Sequence, residues 1–108
     1  MAIYLIRFAY TSDAWAAMIE SPEDRRDQLA SRLFSLGGRL VGFWYSLGEY
    51  SGYVVAEFPD AISLATAQIA IDAGGGFRQI DAIPLLSVEQ LVEALERAQT
   101  FAYEPPHS

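Results

Sequence analysis

The chain contains no cysteine, which removes disulfides, thiolate catalysis and sulfur-ligated metals in one step. It contains no lysine, and its seven arginines face 14 acidic residues for a formal net charge of -7. Binding a phosphate backbone needs a basic stripe, so nucleic acid is not an expected partner. The one histidine, His107, sits in the tail beside Pro105 and Pro106. A lone tail imidazole anchors neither a metal site nor a nucleophilic triad, so no metal is assigned. Apolar runs are short of the ~18 residues a membrane helix needs, and no basic n-region with a cleavage site opens the chain. The expectation is a cytoplasmic protein with no membrane partner.

What is abundant is apolar surface. At 108 residues the chain is long enough for one core, and 52% of it is hydrophobic with a mean hydropathy of +0.16. That is high for a small domain with a mostly polar exterior, so part of the apolar surface calls for a partner. Residues 1–98 are expected to form a single domain, with 99–108 as a C-terminal tail.

Leu40 to Phe58, LVGFWYSLGEYSGYVVAEF, is two runs of aromatic and β-branched residues hinged on Gly48-Glu49, the pattern of a β-hairpin. A two-residue type II′ turn with Gly48 at positive φ would set Leu47 opposite Tyr50. That register puts Leu40, Gly42, Trp44 and Ser46 opposite Glu57, Val55, Tyr53 and Ser51 on one face. On the other face it puts Val41, Phe43 and Tyr45 opposite Ala56, Val54 and Gly52. The second face is apolar throughout; the first mixes a carboxylate, two hydroxyls and a Trp-Tyr pair.

The rest of the chain alternates strand and helix signals. Ile3 to Tyr10 reads as a strand buried on both faces. Thr11-Ser12-Asp13 can cap a short helix over Ala14 to Glu20, with Trp15 and Ile19 on one side. Ser21-Pro22-Glu23-Asp24 is a second start signal, opening a helix whose Leu29, Leu33 and Leu36 share a face and which Gly37-Gly38 ends. Asp60 caps a helix from about Ala61 to Ala73. Ile62 and Ile69 lie on one stripe of it, and Leu64 and Ile71 on another roughly 160° away, so two buried sides are expected. One would cover the sheet and the other would meet the C-terminal helix or another chain. Gly74-Gly75-Gly76 comes after a helix and before a strand, the wrong order for a phosphate loop, so no cofactor is assigned. Phe77 to Leu85 is a strand whose Pro84 belongs at a sheet edge. Ser87 to Gln90 is a capping box opening an amphipathic helix. In the tail, Phe101 and Tyr103 are costly to leave in water, which suggests that it lies over a protein surface.

This order gives an α+β, ferredoxin-like βαββαβ plan: a four-stranded antiparallel sheet with the first and third strands central, helices on one face, and an extra C-terminal helix. The other sheet face is bare, and a second copy of the chain is its simplest cover.

Several segments also match a known family. Tyr4 to Thr11, Ser21-Pro22-x-x-Arg25, Leu36-Gly37-Gly38, Leu47-Gly48-Glu49-Tyr50 and Glu57-Phe58-Pro59-Asp60 resemble the GYD-domain family of small bacterial proteins over roughly residues 1–92. The resemblance implies a ferredoxin-like fold assembled as a dimeric α+β barrel, a homodimer or a multiple of one, and carries no activity with it. The Gly-x-Tyr-Asp signature reads Gly48-Glu49-Tyr50-Ser51 here, without the acidic residue, and Trp15 stands where a small turn residue is expected.

Strand parity alone selects the candidate site. If Phe43, Tyr45, Val54 and Ala56 enter the dry core, Trp44, Tyr53 and Glu57 face the barrel interior, and Arg7, Gln79 and Asp81 join them from the outer parity of their own strands. With Ser51 these form one polar cluster. Arg7, Trp44, Ser51, Tyr53 and Gln79 are the ligand-binding candidates; Glu57 and Asp81 are the candidate catalytic carboxylates. The plain alternative is an ion-pair network, with Arg7 and Glu57 satisfying each other. Two classes of function follow. One is a small-molecule-binding or accessory protein whose ligand, aromatic or anionic, is held by the planar fork of Arg7. The other is a cofactor-free isomerase, cyclase or oxygenase acting on an aromatic or polyketide-like substrate, which needs Glu57 or Asp81 to titrate near neutrality.

Overall fold

The alternation of Ile3 to Tyr10 becomes β1 (Ala2–Tyr10), a central strand of the sheet in the computed structural model, which describes residues 1–106. Thr11 caps α1 (Ser12–Glu20) by accepting the Ala14 N–H. Then come α2 (Arg26–Ser35), β2 (Arg39–Tyr45), β3 (Gly52–Phe58), α3 (Ala61–Ala73), β4 (Phe77–Leu85) and α4 (Val88–Ala98). The strands pair in the order β2-β3-β1-β4, every pair antiparallel, so the fold is α+β and ferredoxin-like with Pro84 on an edge strand. Among the described residues no helix is long and apolar enough to cross a membrane.

Helices α1, α2 and α3 cover one sheet face. Tyr4, Ile6, Phe8 and Tyr10 of β1 point into that layer with Val54, Ala56 and Phe58 of β3, and Leu33 of α2 meets them. The aromatic end of the core is dense, with Tyr10 stacked on Phe77 at 5.1 Å and edge-on to Trp15 at 5.0 Å. Burial and a bond to Tyr45 push the Tyr10 phenol above its ordinary pKa. Gly37, at φ +76°, ends α2 in a left-handed turn whose Gly37 and Gly38 N–H groups bond to the Phe34 and Leu33 carbonyls.

Four expectations are corrected. The hairpin has no two-residue turn: Gly48 is not at positive φ, and the strands are joined by a wider loop, Ser46 to Ser51, closed by the Ser46 N–H on the Ser51 carbonyl. The register expected for Gly42 to Tyr45 is the one found, but it slips between Leu40 and Gly42, where Val41 forms a β-bulge. Leu40 therefore faces Ala56 and the core, and Val41 is exposed. Helix α2 starts at Arg26 rather than at Pro22, because the Asp24 carboxylate takes the Arg26 N–H and guanidinium. Finally, α4 does not cover α3.

Leu64 and Ala67 of α3 pack against the core, while Ile62 and Ile69 are exposed. Every residue of α4 is exposed as well, although its capping box is complete, the Ser87 hydroxyl accepting the Gln90 N–H and the Gln90 side chain accepting the Ser87 N–H. With only Leu86 and Ser87 between β4 and α4, the arm leaves the sheet edge without turning back. The Cα radius of gyration is 17.5 Å, against about 13 Å for a compact chain of this length.

Candidate functional site

Antiparallel pairing carries side chains of equal parity across the helix-free face in transverse rows. Trp44 pairs with Tyr53, Tyr53 with Arg7, and Arg7 with Asp81, so one row crosses all four strands. The next row is apolar: Gly42, Val55, Leu5 and Ile83. Beyond it Arg39, Glu57, Ile3 and Leu85 form a third. Trp44 is exposed, and its indole lies over Gly42, where a Cβ would collide with the ring.

Arg7, Asp81 and Gln79 meet at one carboxylate oxygen. Arg7 Nε donates to Asp81 Oδ2 at 3.1 Å and Gln79 Nε2 does so at 3.4 Å. A fourth residue, absent from the parity cluster, completes the group. The Tyr50 hydroxyl donates to the same oxygen at 2.9 Å and accepts from Gln79 at 3.1 Å, while the Arg7 guanidinium lies 4.4 Å from the centre of the Tyr50 ring. Tyr50 is only 7% exposed, and Tyr53 stands 6.4 Å from it, ring to ring. The two-residue turn would have sent Tyr50 to the core face; the wider loop folds it under Arg7. The signal pointing to it was the Gly-x-Tyr signature itself.

The other candidates lie elsewhere. Glu57 does not pair with Arg7: it lies four residues further along β3 than Tyr53, roughly 13 Å away. Its carboxylate instead takes two bonds from Arg39, at 3.1 Å each. Ser51 is buried in the loop, away from this cluster. Its hydroxyl accepts the Tyr10 N–H at 2.9 Å and its own N–H donates to the Phe8 carbonyl at 2.8 Å, extending the β1–β3 pairing beyond Gly52. The structure thus unites Arg7, Gln79 and Asp81, sets Tyr53 and Trp44 beside them, and leaves Glu57 and Ser51 outside. His107 lies outside the described residues. Among the described residues no three acidic or imidazole side chains gather to hold a metal ion.

Electrostatics follow the contacts. The Tyr50 hydroxyl bond first, and the Arg7 guanidinium after it, hold the Asp81 carboxyl below its ordinary range. The bond to Asp81 in turn holds the Tyr50 phenol above its own. Arg39 likewise lowers Glu57. For a depressed carboxyl the unfolded chain takes the proton first, so the stabilisation is full above about pH 4 and is lost as pH falls through the lower folded value. Asp81→Asn, which mimics the protonated carboxyl, is therefore expected to lower the urea midpoint modestly at pH 7 and to leave it nearly unchanged at the acid end, so that the decline towards pH 3 is flatter. An unchanged acid limb in the variant would show that the network does not couple to folding.

A part-open hollow lies on the opposite face. A slot of about 300 Å³ lies between α2 and α3, floored by Ile6, Phe8, Val54 and Ile80 and edged by Arg25 and Arg32. The polar row instead lies on an open sheet face, where only a further surface can enclose it.

A sequence model of the GYD domain matches residues 4–95. No curated protein and no solved structure matches the chain.

Proposed function

The chain belongs to the GYD domain family, and from that premise we propose a small-molecule-binding protein that holds its ligand on the helix-free sheet face, enclosed when two copies set these faces together. The observation that carries this reading is the state of Arg7. Its guanidinium carbon sits over the ring of buried Tyr50, 4.4 Å from the centroid, and the group spends only Nε on Asp81, so among the described residues its terminal nitrogens have no protein acceptor. A pre-oriented planar fork beside an aromatic pair and an apolar row suits a ligand with a carboxylate or carbonyl at one end and a flat apolar body. Trp44 and Tyr53 flank the body; Leu5, Val55 and Ile83 support it.

The enzymatic alternative asks for a carboxylate poised near neutrality. Asp81 and Glu57 are both displaced the other way, each by a donor that favours its ionised form. This supports capture rather than proton abstraction by either group.

Native mass spectrometry of the purified chain tests the reading directly. The expected result is an even-numbered assembly of the 11.9 kDa chain that carries a small organic molecule. A single-copy species that captures nothing from a panel of aromatic carboxylates and ketones would overturn it.

A further inference from the structure

We propose that α4 is an exchanged arm, whose apolar stripe seats in the slot between α2 and α3 of a second copy of this chain. The inference rests on the helix-covered side of the fold and does not depend on the ligand site.

Two incomplete surfaces motivate it. Val88, Leu91, Val92 and Leu95 make one stripe of α4 and are 46 to 74% exposed. A helix of 11 residues is marginal by itself in water, so a well-capped one with a bare apolar stripe is built to be packed. On the other side, α2 and α3 stand apart over core residues and leave the slot of about 300 Å³ open. Helix-in-groove docking would close both surfaces.

The flanks match in chemistry. At about 100° per residue Glu89, Glu93 and Glu96 share one border of the α4 stripe, and Ala94 and Ala98 lie towards the other. On the α2 side the slot presents Gln28 and Arg32 with the N-cap Arg25; on the α3 side it presents Ala67, Ala70 and the C-cap Gly74, together with the larger Leu64, Gln68 and Ile71. An acidic border thus meets a basic wall, and the small-residue border meets the α3 wall where Ala67, Ala70 and Gly74 allow close approach. Among the described residues Arg32 has no ion-pair partner, while Arg25–Glu23 and Arg97–Glu93 are exposed pairs that exchange at little cost.

The occupant must come from another molecule. Leu86 and Ser87 together span only about 7 Å. Helix α3 packs on β3 and β4 and α2 on β2, so α3 stands between the β4 edge, where the arm departs, and the slot. The same chain's arm would have to cross α3 to reach it.

The absence of native cysteine makes the test unambiguous. Full-length Leu95→Cys and Ala70→Cys proteins, mixed and mildly oxidised, should form a disulfide joining two chains, read by intact mass and by the linked peptides. Arg97→Cys, on the opposite side of α4, should cross-link to Ala70→Cys far less. Arg32→Glu in the Ala70→Cys chain should lower the Leu95–Ala70 yield by about fivefold, the loss of one surface charge pair. A Leu95 yield no greater than that of Arg97→Cys overturns the proposal. So does a disulfide closed within one chain in the Leu95→Cys/Ala70→Cys double variant, which would place the arm in its own slot.

Discussion

Phe58→Ala is expected to lower the free energy of unfolding by about 3 to 5 kcal/mol, a large share of the ~5–15 kcal/mol typical of a whole domain. Phe58 has no exposed surface and meets the edge of Tyr4 at a ring separation of 6.0 Å. It sits where β3 ends, and Asp60 opens α3 two residues later. A cavity there removes support from the sheet and from the start of α3 together, with little room to collapse. Urea unfolding followed by circular dichroism measures the loss. Phe34→Ala is the contrast, since Phe34 is 79% exposed on α2 and its removal should change stability by about 0.5 kcal/mol or less. Equal losses in the two variants would contradict this account of the core.

Arg7→Met should weaken capture of a carboxylate ligand by roughly tenfold to hundredfold, the value of a charge-assisted hydrogen bond to an anion. Methionine keeps an apolar stem over Tyr50, so the packing on the ring is largely preserved while the fork is lost. The folded state should barely respond, because the Arg7 and Asp81 side chains are 38% and 33% exposed and a pair so open to solvent contributes little. Titration of the ligand recovered from the native protein, with thermal unfolding run in parallel, separates the two quantities. Unchanged affinity would remove Arg7 from the site, and a large fall in melting temperature would make its role structural.

Both predictions draw on residues that the sequence exposes unequally. Phe58 announces itself by alternation, since Val54, Ala56 and Phe58 share a parity and the helix cap Asp60 follows at once. Arg7 and Asp81 come from the same rule applied to two other strands. Glu57 shows where that rule stops. Parity names the face a side chain is on and says nothing about its position along the strand, and the row that holds Arg7 contains Asp81 and not Glu57. The pairing partner of a charged residue is a question of register between strands distant in sequence, which no local pattern encodes.

The hairpin carries the same division within itself. Gly42 to Tyr45 pair as the alternation says they must, because moving them by one residue would turn Phe43 out of the core and Trp44 into it. At its two ends, local preference loses to tertiary contact. Gly48 can adopt the positive φ of a tight turn and does not, because Ser51 is bound to Phe8 and Tyr10 of β1 and Tyr50 to Asp81 of β4. Val41 bulges, and Leu40 rather than Val41 reaches the core beside Ala56.

What the sequence determined by itself was the order and type of the elements and the sheet's faces, because hydrophobic period and capping residues are local. Tertiary structure decided the rest. It chose Asp81 over Glu57 as the partner of Arg7, brought Tyr50 from the loop into the site, and left α4 standing away from α3, since each depends on contacts between segments far apart in the chain, whose geometry is set only when the whole sheet is assembled.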